Sequence, residues 1–122
     1  MQEALIEKKM TLVWLLSFYG ELLTDNQREM AGLYLEEDLS LAEIAQQYGV
    51  SRQSVYDMIR RTAERLENFE EKLGLCKRFS QIESKISECT ELMKQLKPAP
   101  GSEEAYLHLS DKLGELMRME EQ

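Results

Sequence analysis

The 122-residue chain holds only two cysteines, two prolines, one histidine and one tryptophan, and each scarcity removes a class of protein. Cys76 and Cys89 stand thirteen positions apart with no CxxC pair, and His108 is the lone imidazole. Neither a structural zinc site nor a disulfide framework can be assembled from that set. Reduced, buried thiols in a cytosolic protein are the expectation. The longest apolar run, residues 12–16, falls far short of the roughly 20 residues that a membrane-spanning helix needs. Lys8-Lys9 ahead of residues 11–20 imitates the charged and apolar parts of a signal peptide. However, Glu3 and Glu7 lie upstream, Glu21 ends the run, and no small-x-small cleavage site follows. A cytoplasmic protein with no membrane contact is expected.

Catalytic patterns are missing too. There is no glycine-rich phosphate loop, acidic pairs such as Glu36-Glu37 and Glu70-Glu71 read as solvated helix charge, and His108 has no nucleophile or metal ligand nearby in sequence. The expectation is a binding protein without metal or cofactor, and not an enzyme. Positive charge is also in short supply: 15 basic against 23 acidic residues leave −8, the wrong sign for a chain that clings to nucleic acid everywhere. The distribution matters more than the sum. Residues 1–48 carry three basic and nine acidic groups and residues 67–122 carry eight and twelve, whereas residues 49–66 carry four and two. Of these three segments only residues 49–66 are net basic.

What is present is helical periodicity, in a chain whose 43% apolar and 31% charged residues are typical of a helix-rich globular protein. Leu12, Leu15, Leu16 and Tyr19 follow the period of a helix with one buried stripe, and Trp14 and Phe18 are expected in its core. Thr24 and Gln27 form a capping box for a second helix, whose stripe is Met30, Leu33 and Tyr34. Ser40 and Glu43 repeat the device for a short third helix that stops at Gly49. Ser51 caps a fourth, whose stripe of Val55, Met58, Ile59, Thr62 and Leu66 continues through Phe69 to Leu73, with a break at Gly74. Beyond it, Leu75, Phe79, Ile82, Ile86, Cys89, Met93 and Leu96 alternate spacings of four and three, a heptad seam that needs a partner helix. Pro98 to Gly101 make a turn, Ser102 is a candidate cap, and Tyr106, Leu109, Leu113 and Leu116 form a second seam. Residues 74–122 are therefore expected to form a helical hairpin or coiled coil. The seam closes within one chain or between two, and a homodimer is the expectation.

The stretch with the basic charge carries a motif. Two short helices cross steeply only if the residue at closest approach is small, the turn accepts positive φ, and apolar groups plug the wedge. Ala45, Gly49 and the set Ile44, Tyr48, Val50, Val55 and Met58 meet these requirements in order, so residues 40–61 form a helix-turn-helix within residues 1–73. In such a motif the second helix enters the major groove with its N-terminal residues at base edges. Those residues are Arg52, Gln53, Ser54, Tyr56 and Asp57. Arg52 can pair with guanine and Gln53 with adenine, while Ser51, Arg60, Arg61 and Arg65 are candidate phosphate contacts. DNA is the favoured ligand. The competing reading is that the face is solvated, or binds protein or structured RNA.

Leu23-Thr-Asp-Asn-Gln-Arg-Glu-Met30, followed by the stretch from Leu39 to Asp57, resembles region four of the bacterial sigma factors. More closely, the Leu15 to Leu23 opening with Phe18-Tyr19, the Tyr34-Leu-Glu-Glu-Asp-Leu-Ser40 link and Val55-Tyr-Asp-Met-Ile-Arg-Arg61 resemble the YlxM family of helix-turn-helix proteins, over about residues 8–80. The resemblance implies an all-α, sigma-region-four-like domain with a coiled-coil-like extension, standing alone without other sigma domains. It also implies a regulatory or accessory role in the signal recognition particle pathway, with that particle's GTPase as a partner. An adaptor that keeps the fold without specific DNA binding is the alternative.

Overall fold

The computed structural model describes the backbone of residues 2–121 and the side chains of residues 5–119; Met1, Gln122 and the Glu3 side chain lie outside. Its elements are α1 (Gln2–Glu7), α2 (Lys9–Tyr19), a 3-10 turn (Gly20–Leu22), α3 (Asp25–Leu35), α4 (Leu41–Tyr48), α5 (Arg52–Leu73), α6 (Leu75–Lys94) and α7 (Glu103–Glu121). The fold is all-α. The chain divides into two compact units, Met1–Cys76 and Lys77–Gln122.

Helix starts in the first unit are written by local hydrogen bonding. At α3 the Thr24 hydroxyl accepts from the Gln27 amide at 3.2 Å and the Gln27 side-chain carbonyl accepts from the Thr24 amide at 3.2 Å. At α4 the Ser40 hydroxyl accepts from the Glu43 amide at 3.1 Å, and the Glu43 carboxylate accepts from the Ser40 amide at 3.0 Å. The bond from the Ser40 backbone, and then its side chain, hold the Glu43 carboxyl below its ordinary range. Two of the amides that a helix start leaves unpaired are thus satisfied at each site.

The apolar stripes meet in one core. Leu12, Leu15, Leu16 and Tyr19 of α2, Met30, Ala31, Tyr34 and Leu35 of α3, Leu41, Ile44 and Ala45 of α4, and Val55, Ile59 and Leu66 of α5 are all buried. Helix α5 runs through the middle and packs on α2, α3 and α4. Buried Thr62 costs little there because its hydroxyl donates to the Met58 carbonyl at 2.8 Å. Several residues depart from expectation. Trp14 is 38% exposed and Leu73 55% exposed, because the first lies on the outer side of α2 and the second on the last, solvent-facing turn of α5. Cys89 is exposed while Cys76 is buried, so only one thiol is shielded.

A buried polar cluster closes the C-terminal end of α5. The fully buried Tyr19 hydroxyl donates to the Glu70 carboxylate at 2.5 Å and accepts from the Leu75 amide at 3.0 Å. The same Glu70 oxygen accepts from the Cys76 amide at 3.0 Å. Gly74, at φ 63°, ends α5 in the left-handed conformation, and side chains from α2 and α5 then satisfy the first free amides of α6. The start of α6 consequently belongs with the first unit.

The second unit is a helical hairpin. Gly101, at φ 91°, turns the chain and its amide donates to the Glu103 carboxylate at 2.9 Å. The Tyr106 hydroxyl donates to the Met93 carbonyl at 2.6 Å, and Ile86 and Met93 are buried. The seam therefore closes partly within one chain. Leu96, Leu109 and Leu116 stay exposed, as do Leu92, Leu107 and Met119 outside the expected seams.

The Tyr19 cluster makes a pH prediction. Burial, and then the hydrogen bond to Glu70, push Tyr19 up to about 12 from 10.0, while burial and then the charge of Glu70 push Cys76 up to about 11 from 9.0. Both groups keep their protons in the folded chain after the unfolded chain has lost them, so their contribution is intact below pH 9 and falls as pH rises towards 12. Urea denaturation across that range will show declining stability. Tyr19→Phe, which strands the Leu75 amide, will cost about 1–3 kcal/mol and speed alkylation of Cys76 but not of Cys89. Unchanged labelling of Cys76 would contradict the assignment.

Candidate nucleic-acid interface

The junction between α4 and α5 is built on one conformation. Gly49, at φ 67°, terminates α4 in the left-handed region, where the Val50 amide donates back to the Ala45 carbonyl at 3.0 Å and the Gly49 amide to Gln46 at 3.4 Å. This is the paired bonding that ends a helix sharply. A Cβ at Gly49 would meet no atom within 4 Å, so conformation and not space demands the glycine. Ala45, Ile44 and Val55 are buried in the wedge between the helices. Val50 does not share that role: it is 46% exposed, because the residue after the left-handed turn points away from the wedge, and Tyr48 and Met58 are half-buried. Burial and the neighbouring Glu29 carboxylate push the Tyr48 phenol above its ordinary range.

Chain direction then carries α5 outward from Ser51. The Ser51 hydroxyl accepts from the Ser54 amide at 3.0 Å and lies 2.8 Å from the Ser54 hydroxyl, which fixes the first turn. Arg52, Gln53 and Ser54 are exposed on that turn, with Arg60 and Arg61 exposed two turns on. Gln53 donates from its amide nitrogen to Asp57 at 3.1 Å, and Arg61 donates from Nε to the Asp57 carbonyl at 3.3 Å, so Gln53, Asp57 and Arg61 follow one line along the helix. Arg60 pairs with Glu64 at 2.9 Å, an exposed contact of the kind worth well under about 1 kcal/mol, which a phosphate can displace.

Two expected residues have other duties. Tyr56 is only 7% exposed; its position on α5 turns it from the line of Gln53 and Asp57 towards the core, where it borders a cavity of about 260 Å3 with Leu5, Lys8 and Ala63. Tyr56 is therefore packed into the fold, in place of the outward position expected of it. Arg65 donates to the Gln27 side-chain carbonyl at 2.8 Å and sits 5.4 Å above the Phe69 ring, which ties α5 to the capping box of α3. Gln27, which sequence reasoning assigned only to a cap, thus also anchors α5. No sequence spacing links residues 38 positions apart.

The geometry is that of a helix-turn-helix whose second helix offers a polar, basic N-terminal end. Comparison with known proteins agrees. The family profile described as "Putative helix-turn-helix protein, YlxM / p13 like" matches residues 6–109. The chain belongs to the YlxM / p13-like family. Relatives in this family include a protein of Geobacillus kaustophilus, 52% identical over 77 residues that cover 63% of this chain and 70% of the relative. Another, from Listeria welshimeri, is 46% identical over 84 residues, 69% of this chain and 76% of the relative. A third, from a Geobacillus species, is 47% identical over 93 residues, 76% and 78%. The YlxM-like match extends through α6 and into α7, beyond the helix-turn-helix itself. Among the described residues no helix is long and apolar enough to cross a membrane and no group of side chains is arranged to hold a metal ion.

Proposed function

We propose that this YlxM-like protein is a cytoplasmic regulator that reads duplex DNA with the N-terminal half of α5. The observation that carries the reading is the exposed set Ser51, Arg52, Gln53, Ser54, Arg60 and Arg61, with half-buried Asp57 among them, on a net basic stretch of an acidic chain. An acidic body repels the phosphate backbone and a local basic patch attracts it, so the charge pattern favours contact through this face. Arg52 supplies the fork that matches guanine, and Arg60 and Arg61 supply phosphate contacts. The signal recognition particle pathway implied by the YlxM resemblance would bring the same face to RNA. An A-form major groove is too deep and narrow for a helix to read, which favours DNA.

The exposed Leu92, Leu96, Leu107, Leu109, Leu116 and Met119 of the hairpin support association through the second unit. Helix-turn-helix proteins use such dimers to span half-sites about 34 Å apart. An adaptor of the targeting machinery, with the pathway GTPase as partner, is the second reading; those leucines favour it too.

Three measurements test these proposals. In polarisation titrations against pooled duplexes, log affinity will fall with log salt, and Arg60→Ala with Arg61→Ala will reduce the slope by about 2. Arg52→Ala will cost about tenfold on the selected duplex. Absence of duplex binding, with nuclease-resistant retention by the targeting GTPase, would instead support the adaptor. In sedimentation at micromolar concentration the full chain will run as a dimer that Leu109→Glu with Leu116→Glu dissolves; a monomeric wild type would contradict dimerisation.

A further inference from the structure

We propose that Asp57 is a specificity-determining residue: by engaging the Gln53 amide, it makes Gln53 a reader of adenine and sets it against guanine. The assignment rests on the duplex-reading face proposed above and goes beyond it to the base discriminated. Asp57 is the only carboxylate in residues 52–63, a stretch that also holds Arg52, Arg60 and Arg61. A negative charge there opposes phosphate binding, so its place on the face calls for a compensating role.

The hydrogen bonds supply one. A glutamine amide has two N–H donors and one carbonyl acceptor. Gln53 commits one N–H to Asp57 at 3.1 Å, one helical turn on, while its own side chain is exposed beyond Arg52 on the first turn of α5. The N-cap bonds of Ser51 to Ser54 hold that turn in place. Asp57 itself is half-buried, and Arg61 donates to its backbone carbonyl, so the carboxylate projects from a fixed piece of helix.

Donor accounting then decides the base. Adenine presents an acceptor at N7 and a donor at N6, which the remaining Gln53 N–H and the Gln53 carbonyl match with both bonds made. Guanine presents two acceptors, N7 and O6, which would require both N–H groups of Gln53. With one already held by Asp57, guanine leaves O6 facing the Gln53 carbonyl, acceptor against acceptor. Without the carboxylate, the amide turns over freely and gives both donors to guanine.

The test selects a preferred duplex from a random pool with the full chain, then measures affinity for that duplex, for its variant with the Gln53-contacted adenine·thymine pair changed to guanine·cytosine, and for an unrelated duplex. The wild type is expected to prefer adenine about tenfold. D57A is expected to bring that ratio to within twofold while binding the unrelated duplex more tightly, because a repelling charge has gone. A residue that merely supported the fold would lower all three affinities together. Q53A is expected to lose the same preference, with no further loss in the D57A/Q53A double variant. D57N keeps an oxygen acceptor at that point and is expected to retain the preference. A D57A ratio as large as the wild type's, or loss of the preference in D57N, would overturn the assignment while leaving the DNA reading intact. Failure of the wild type to select any duplex would overturn both.

Discussion

A single left-handed residue governs what the rest of the molecule can present. Gly49 stops α4 after eight residues and lets α5 start afresh at Arg52. A non-glycine residue at φ 67° would carry steric strain, and a helix that ran on through it would erase the outward tip. The buried contacts of Ile44, Ala45 and Val55 then fix the crossing, and a full core cluster from α2 to α5 backs it. Local backbone chemistry thus sets the direction of α5, while the core holds it rigid.

Charge shapes the same face by exclusion. The chain carries a net charge of −8, against which the arginines of α5 form a local positive group. Their present partners differ in kind. Arg60 holds an exposed glutamate on its own helix, a pairing that exchange with a phosphate would cost little to break. Arg65 is anchored to Gln27 and Phe69 across the fold, and moving it would loosen α5 from α3. Arginines that look alike in sequence therefore divide into exposed ones on the face of α5 and one, Arg65, that ties α5 to α3.

Much of this was legible in the residues alone. The Thr24–Gln27 and Ser40–Glu43 capping boxes and the stops at Gly49 and Gly74 are short-range signals, and the helices they bound fall where the sequence places them. Helix α1 was missed because residues 2–7 carry too few apolar positions to show a period. Tyr56 reads as outward-facing because it lies between Gln53 and Asp57, although one residue on a helix turns a side chain by 100° and buries it. Arg65, Tyr19 and Glu70 act through partners 38 and 51 positions away, and no local pattern encodes such a meeting. The spacing of thirteen positions between the cysteines gives no hint that Cys76 is buried beside Tyr19 and Glu70 while Cys89 faces water.

The claim on which the functional reading turns is that the tip of α5, and no other part of the chain, meets the ligand. Backbone amide shifts of the isotope-labelled full chain, followed by NMR during titration with a duplex, test it directly. The largest shifts are predicted at residues 51–61, joined by the side-chain amide of Gln53, with residues 103–119 unmoved. Shifts concentrated in the hairpin, with residues 51–61 silent, would contradict it.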